Sequence, residues 1–173
     1  MTTYSKKQNS LYLSLLLAFF LLGTVSSCSK QDEQQKMIHT AVAIEASEEC
    51  HLCGMLITRF DGPKGELFRK EQGDKAFKFC STRDMFSYYL DPENQRNVAQ
   101  MLVHDMSKMP WGTINDEYFI DAKTAWYVAG SEKTGAMGKT LASFSLQTDA
   151  QAFAKEFGGK VIAFDAISLS LLM

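Results

Sequence analysis

The chain has 173 residues, 18 basic and 20 acidic, with a formal net charge of −2 and 46% hydrophobic residues. The basic residues are scattered, with no run of Lys or Arg, which excludes the electrostatic footprint of a nucleic-acid partner. The apolar content is ample for a folded core. No Ser/His/Asp set, Walker loop, HExxH or dinucleotide glycine turn is present to support catalysis.

At the N-terminus, Lys6 and Lys7 precede an almost wholly apolar run, LYLSLLLAFFLL, over residues 11–22. A spanning helix needs roughly 20 apolar residues, so this shorter run reads as the h-region of an export signal. Val25-Ser26-Ser27-Cys28 follows and resembles the lipobox of bacterial lipoproteins. That resemblance implies a signal peptide over 1–27 and a diacylated Cys28 as the new N-terminus. Two acyl chains anchor stably where one is marginal. The chain is then expected as a lipid-anchored protein of a bacterial envelope, facing the periplasm. Ser29, in place of Asp, favours the outer membrane over the inner. Removing residues 1–27 and their two lysines leaves 146 residues with 16 basic and 20 acidic side chains, formally −4. No second apolar stretch is long enough to span a bilayer. Residues 28–49 open on the polar SKQDEQQK and read as a lipid-anchored polar tether, with folded structure starting near Thr40.

The remainder reads as an α+β fold: two similar small ββα-type units forming one compact mature domain pair, over 50–110 and 111–173. An offset of 67 residues relates them. In the first copy Phe77 and Phe79 alternate as in a strand, and Ser81-Thr82-Arg83-Asp84 opens a helix carrying Phe86 and Leu90. In the second, Phe144 and Leu146 alternate, and Thr148-Asp149-Ala150-Gln151 opens a helix carrying Phe153 and Phe157. Both helix starts follow the pattern in which a hydroxyl caps an early N–H. Asp91-Pro92 ends the first helix and Gly158-Gly159 the second. Further strands are expected at 55–60, 66–70, 118–121, 125–128 and 160–164, with Gly62-Pro63-Lys64-Gly65 as a turn between the first two. The stretch 94–110 fits either a helix, through Val98, Met101 and Leu102, or a strand over 102–106.

Three cysteines follow Cys28, and an odd number in an oxidising compartment leaves one unpaired unless a metal or partner claims it. The densest chemical cluster is Cys50-His51-Leu52-Cys53-Gly54-Met55. It offers two thiols, an imidazole and a thioether on one loop, and Gly54 permits the tight turn that aims Met55 at the same point. Soft sulfur donors select Cu(I), while thiolate and imidazole also suit zinc. Four readings stand open at this motif: a Cu(I) site, a disulfide between the two thiols, a thioredoxin-like redox pair, and a structural zinc site completed by Cys80 with His104 or His51. Cys80 alone reads as a buried core cysteine. Met137 lies among glycines and polar residues in Gly135-Ala136-Met137-Gly138, with no large apolar neighbour, and reads as a binding contact or metal ligand. Glu48 and Glu49 read as a solvated face.

Taken in order, the lipobox, Cys-His-x-Cys-Gly-Met, Phe-Cys-Ser-Thr-x-Asp-Met-Phe, Asp-Met, Trp-Tyr-Val-x-Gly-Ser, Gly-x-Met-Gly and Phe-Gly-Gly closely resemble the NosL family, the accessory lipoproteins of nitrous oxide reductase. The resemblance runs from Cys50 to about Phe164. It implies a non-enzymatic Cu(I)-binding chaperone whose partners are nitrous oxide reductase and its membrane ABC-type maturation complex. It also implies copper ligands at Cys53, Met55 and Met137, with Cys50 and His51 as further donors. Ala136 departs from the proline common in that family's Gly-Pro-Met-Gly loop and is expected to leave Met137 less preorganised. The alternative reading is a membrane-tethered thiol-disulfide oxidoreductase or zinc-stabilised periplasmic interaction module.

Overall fold

The computed structural model describes residues 39–173; the expected signal peptide, the lipidated Cys28 and the start of the tether lie outside the described residues. Strands β1 (Gly65–Arg69), β2 (Ala76–Phe79), β3 (Val98–His104) and β4 (Phe119–Asp121) form an antiparallel sheet in the order β2-β1-β3-β4. Period-two alternation sends Leu67, Phe77, Phe79, Met101 and Val103 to one face and Glu66, Phe68, Lys78 and Leu102 to the other. Helix α1 (Thr82–Tyr89) covers the first face. Gly65 permits the close approach, because a Cβ there would stand 2.6 Å from the Met85 sulfur. A short helix α2 (Pro92–Gln95) follows, with Pro92 at its start and Asp91 as its cap.

The second unit repeats the plan. Strands β5 (Trp126–Ala129), β8 (Ala142–Phe144) and β9 (Lys160–Ala163) form a sheet in the order β8-β5-β9, all antiparallel. A two-stranded hairpin of β6 (Thr134–Gly135) and β7 (Gly138–Lys139) is inserted between β5 and β8. Helix α3 (Gln147–Phe157) packs Phe153 against Phe144 and Trp111, and ends at Gly158, whose φ of 73° is the left-handed conformation that glycine adopts freely. Short helix α4 (Leu169–Leu172) closes the described chain. Along β5, Val128 faces α3 while Tyr127 faces the main core, where its ring meets Phe86 of α1 at 5.2 Å. Helix α1 therefore contacts both sheets, whereas α3 is covered on one side.

The architecture is α+β with two ββα-type units, each closed by a returning strand. It differs from the sequence expectations at four places. Residues 55–60 form no strand: Leu56 makes a single bridge to Glu49, and Ile57–Arg59 is a 3-10 turn that buries Ile57. The stretch 94–110 resolves as β3, because alternation at Met101 and Val103 matches the core face of β1. Strand β4 lies beyond residue 110 yet completes the first sheet. Helix α3 starts at Gln147 with no side-chain cap, so Thr148 does not open it.

The segment from His39 to Glu48, within the expected tether, lies along the second face of the first sheet. His39 N–H donates to Gln100 Oε1 at 2.7 Å, Val42 N–H to the Glu66 carboxylate at 3.1 Å, and Ile44 N–H to Asp116 Oδ2 at 2.7 Å. Lys78 Nζ donates to the Ala43 carbonyl and pairs with Glu48 at 2.7 Å. Strap and sheet together bury Glu66, Phe68 and His104 completely.

Candidate metal centre

The first unit turns from strand to helix within three residues. β2 ends at Phe79, Cys80 occupies the corner, and Ser81 caps α1 by accepting the Asp84 N–H at 3.1 Å. The cap places Asp84 one turn above Cys80, whose thiol donates to Asp84 Oδ2 at 3.0 Å. The Cys-x-x-Cys loop arrives from the other side. Cys50 N–H donates to the Met55 carbonyl at 2.8 Å and Gly54 N–H to the Cys50 carbonyl at 2.9 Å, with Gly54 at a φ of 73°. His51 N–H donates to the Lys78 carbonyl at 2.8 Å and fastens the loop to β2.

These two pieces of backbone bring three sulfurs and a carboxylate together. Cys53 Sγ lies 3.4 Å from Cys80 Sγ, Cys50 Sγ lies 3.7 Å from Asp84 Oδ2, and the four ligand atoms all fall within 4.8 Å of one another. Cys50, Cys80 and Asp84 are buried, while Cys53 is half-buried and opens the cluster to solvent. All three thiols are free rather than disulfide-bonded. The neighbouring Cys80 side chain brings the Cys50 pKa down to about 5, against the opposing effect of burial. The same contact, burial and Asp84 push the Cys80 thiol up, and burial raises Cys53. Of the three thiols, Cys50 is the one pushed toward the thiolate.

The other expected donors stand differently. Met55 is half-buried and packs on the main core two residues after Cys53. His51 does not join the four-ligand group. Its ring stacks on Phe77 at 3.9 Å and meets Tyr88 edge-on at 5.2 Å, and burial lowers its pKa. His104 is engaged with Asp116 at 3.3 Å and does not join the four-ligand group. Met137 sits on the turn between β6 and β7, 59% exposed, with a φ of 61°. Its carbonyl accepts from Arg83 of α1, which holds the turn that lacks a proline at 136.

Two residues at the cluster escaped the sequence reading. Asp84 was accounted for by the helix cap, which hid its contact with the thiols. Lys64 read only as part of a turn, yet it is completely buried, and its ammonium donates to the Cys80 carbonyl at 3.1 Å. The spacing of Cys80 and Asp84, four apart at a helix start, was the available signal for the first.

Three thiols and a carboxylate able to close on one ion, carried by a small α+β scaffold, define a metal-binding protein of the soft-donor class. The family model NosL matches residues 41–172, and the chain belongs to the NosL family. It is 45% identical over 160 residues to the copper-binding lipoprotein NosL of Stutzerimonas stutzeri, covering 92% of this chain and 80% of that one. It is 30% identical over 164 residues to the copper-binding lipoprotein NosL of Achromobacter cycloclastes, covering 93% and 83%. Among solved structures, that of the copper chaperone NosL from Shewanella denitrificans matches with a TM-score of 0.75 and 53% identity, over 78% of this chain and 99% of that one.

Proposed function

We propose that this chain is a membrane-tethered, non-enzymatic Cu(I) carrier that supplies copper for the maturation of nitrous oxide reductase. The gathering of Cys50, Cys53, Cys80 and Asp84 within 4.8 Å carries the reading, together with family membership. Thiolate and thioether donors are soft, and Cu(I) needs no more than two or three of them. Cys53, the accessible thiol, is the entry ligand. Cys50 supplies the ready thiolate, and Met55 and Met137 supply thioether contacts, with His51 as a further donor that must leave its aromatic stack to bind. The copper is cargo, so the half-open position of Cys53 suits release as much as capture. Its recipients are the reductase and the ABC-type membrane complex that matures it, reached from a lipid anchor at Cys28 in the periplasmic face of an envelope membrane, the outer one favoured. No helix among the described residues is long and apolar enough to cross a membrane, which leaves the acyl chains as the anchor in this reading.

The test is anaerobic loading with Cu(I) under chelator competition. The expected result is one tightly held equivalent in the wild type and its loss in Cys53→Ser. Wild-type retention by Cys53→Ser overturns the site. Mass spectrometry of the mature N-terminus tests the anchor: a diacylated Cys28 is expected, and an unmodified chain starting elsewhere refutes it.

A further inference from the structure

Lys64 occupies a position that is costly for a cation. Its side chain is 0% exposed, and Nζ donates to the carbonyl oxygens of Phe60, Asp61 at 3.3 Å and Cys80 at 3.1 Å. Those three acceptors use all the ammonium's donors. They solvate the charge without neutralising it, and among the described residues Lys64 forms no ion pair. An uncompensated buried charge is normally strongly destabilising. Three carbonyl acceptors need three N–H donors, one more than a neutral amine has, so the site holds the group as an ammonium. The Asp61 side chain belongs to an exposed residue, whereas Cys80 and Cys50 are buried. The negative charge nearest in character to a buried partner is therefore the thiol cluster itself.

The valence of the bound ion decides what such a cation does. Where the two ions displace the same number of protons from one set of ligands, the complex with the divalent ion carries one more positive charge than the complex with the monovalent ion. A fixed ammonium repels that extra unit in a medium of low polarity. We propose that Lys64 is a specificity-determining residue of the cluster, a buried counter-charge that favours a monovalent thiophilic ion over a divalent one. The inference rests on the reading that this cluster binds metal through its thiolates. A neutral amide, with two N–H donors for the three carbonyls, keeps most of the hydrogen bonding without the charge and so separates the two contributions.

The experiment measures Ag(I) and Cd(II) dissociation constants of the full chain at pH 7 by chelator competition. Ag(I) serves as a monovalent probe without redox chemistry, and sulfur-to-Cd(II) charge-transfer absorption reports that the thiolates are engaged. In Lys64→Met the Ag(I)-over-Cd(II) preference should fall about tenfold or more, the size expected of one unit charge at short range with an effective dielectric near 20. Lys64→Arg, which keeps the charge, should hold the preference within about threefold. If Lys64→Met fails to give a cooperative thermal transition, Lys64→Gln takes its place, keeping donors to the carbonyls without the charge. An unchanged preference in a folded neutral variant overturns the role of Lys64. A wild type that binds neither ion through sulfur overturns the underlying reading of the cluster instead.

Discussion

The two units share a topology and differ in what their strand-to-helix corners bury. In the first, β1 pairs with β2 and β3; in the second, β5 pairs with β8 and β9, and the helix follows β2 or β8 in each. The 67-residue offset sets Cys80, Ser81 and Asp84 against Gln147, Thr148 and Gln151. The first three are 0%, 1% and 5% exposed, while the second three are all exposed. The cause is the layer order. Helix α1 is covered by its own sheet and by β5 of the other unit, so its N-terminal corner is dry. Helix α3 has no sheet on its outer side, and its corner is wet. A dry corner strengthens every electrostatic contact made in it and makes every unmet polar group expensive. In the first copy thiols, a carboxylate and a lysine are thus buried close together, while the corner of the second copy carries no such group.

Exchanging a residue in each unit should separate the two roles. Cys53→Ser is expected to lower Cu(I) affinity a thousandfold or more, roughly 4 kcal/mol, while its half-exposed position keeps the loss of stability small. Phe153→Ala, which empties the stack between Trp111, Phe144 and Phe157, should cost about 3 kcal/mol in urea unfolding with Cu(I) affinity kept. A large binding loss in the Phe153 variant, with the fold intact, would mean that the aromatic packing of the second unit shapes the site.

The next difference is in response to acid, and both groups concerned lie on the first sheet. Burial raises Glu66 to about 7 and lowers His104 to about 4. A carboxyl whose folded pKa is raised binds its proton more readily in the native state, so stability grows as pH falls from about 7 to 4.5. A histidine whose folded pKa is depressed binds its proton more readily when unfolded, so stability falls between about 6.5 and 4. Each displacement corresponds to about 3 kcal/mol at its limit, and in the wild type the two slopes oppose. Glu66→Gln removes one of them. That variant should lose about 2 kcal/mol between pH 7 and 4.5, where the wild type changes little. A flat profile for Glu66→Gln would place the histidine's contribution in doubt.

What the sequence made legible follows the same division. Local patterns were sufficient for β1, β2, the Ser81 cap, α1, β5, α3 and β9, because alternation, capping and glycine stops are properties of neighbouring residues. Met55 to Phe60 misled because aliphatic and β-branched residues fit a strand, whereas here the chain must turn to bring Ile57 into the core. Cys50 and Cys53 announced themselves through their spacing. The third thiol joined them only through tertiary placement, since Cys80 lies 27 residues further on and its corner looks like any strand end. Lys64 was hidden more deeply. A Gly-Pro-Lys-Gly segment reads as a turn, and its burial depends on the Phe60–Asp61 backbone and the Cys80 corner closing round the ammonium.

Capping provides a direct comparison of smaller size. Ser81→Ala removes the acceptor of the Asp84 N–H and should cost about 1 kcal/mol, with some loss of Cu(I) affinity because Asp84 and Cys80 are set by that turn. Thr148→Ala, at the matching point of α3, removes no cap bond and should be neutral within about 0.5 kcal/mol. Thermal unfolding of the two variants side by side measures this. Equal losses would show that the second corner is capped in solution after all.

The smallest effect is expected at Met137, where the two units touch through the grip of Arg83 on the Met137 carbonyl. Among the described residues it is the one non-glycine with a left-handed backbone, at a φ of 61°, a conformation that costs an L-residue about 1 kcal/mol. Met137→Gly relieves that strain but frees the unfolded chain, so a net gain of about 0.5 kcal/mol is expected. Met137→Ala keeps the strain and gains nothing. Both lack the thioether. If the sulfur contributes to the metal, the two variants should weaken Cu(I) binding by a similar factor, severalfold, although their stabilities differ. If the loop's rigidity is what counts, the glycine variant should bind more weakly than the alanine one. Binding equal to wild type in both returns Met137 to an exposed turn residue and confines the copper to the sulfurs of the first unit. The pair of substitutions thus distinguishes a ligand shared across the duplication from a site contained within one copy.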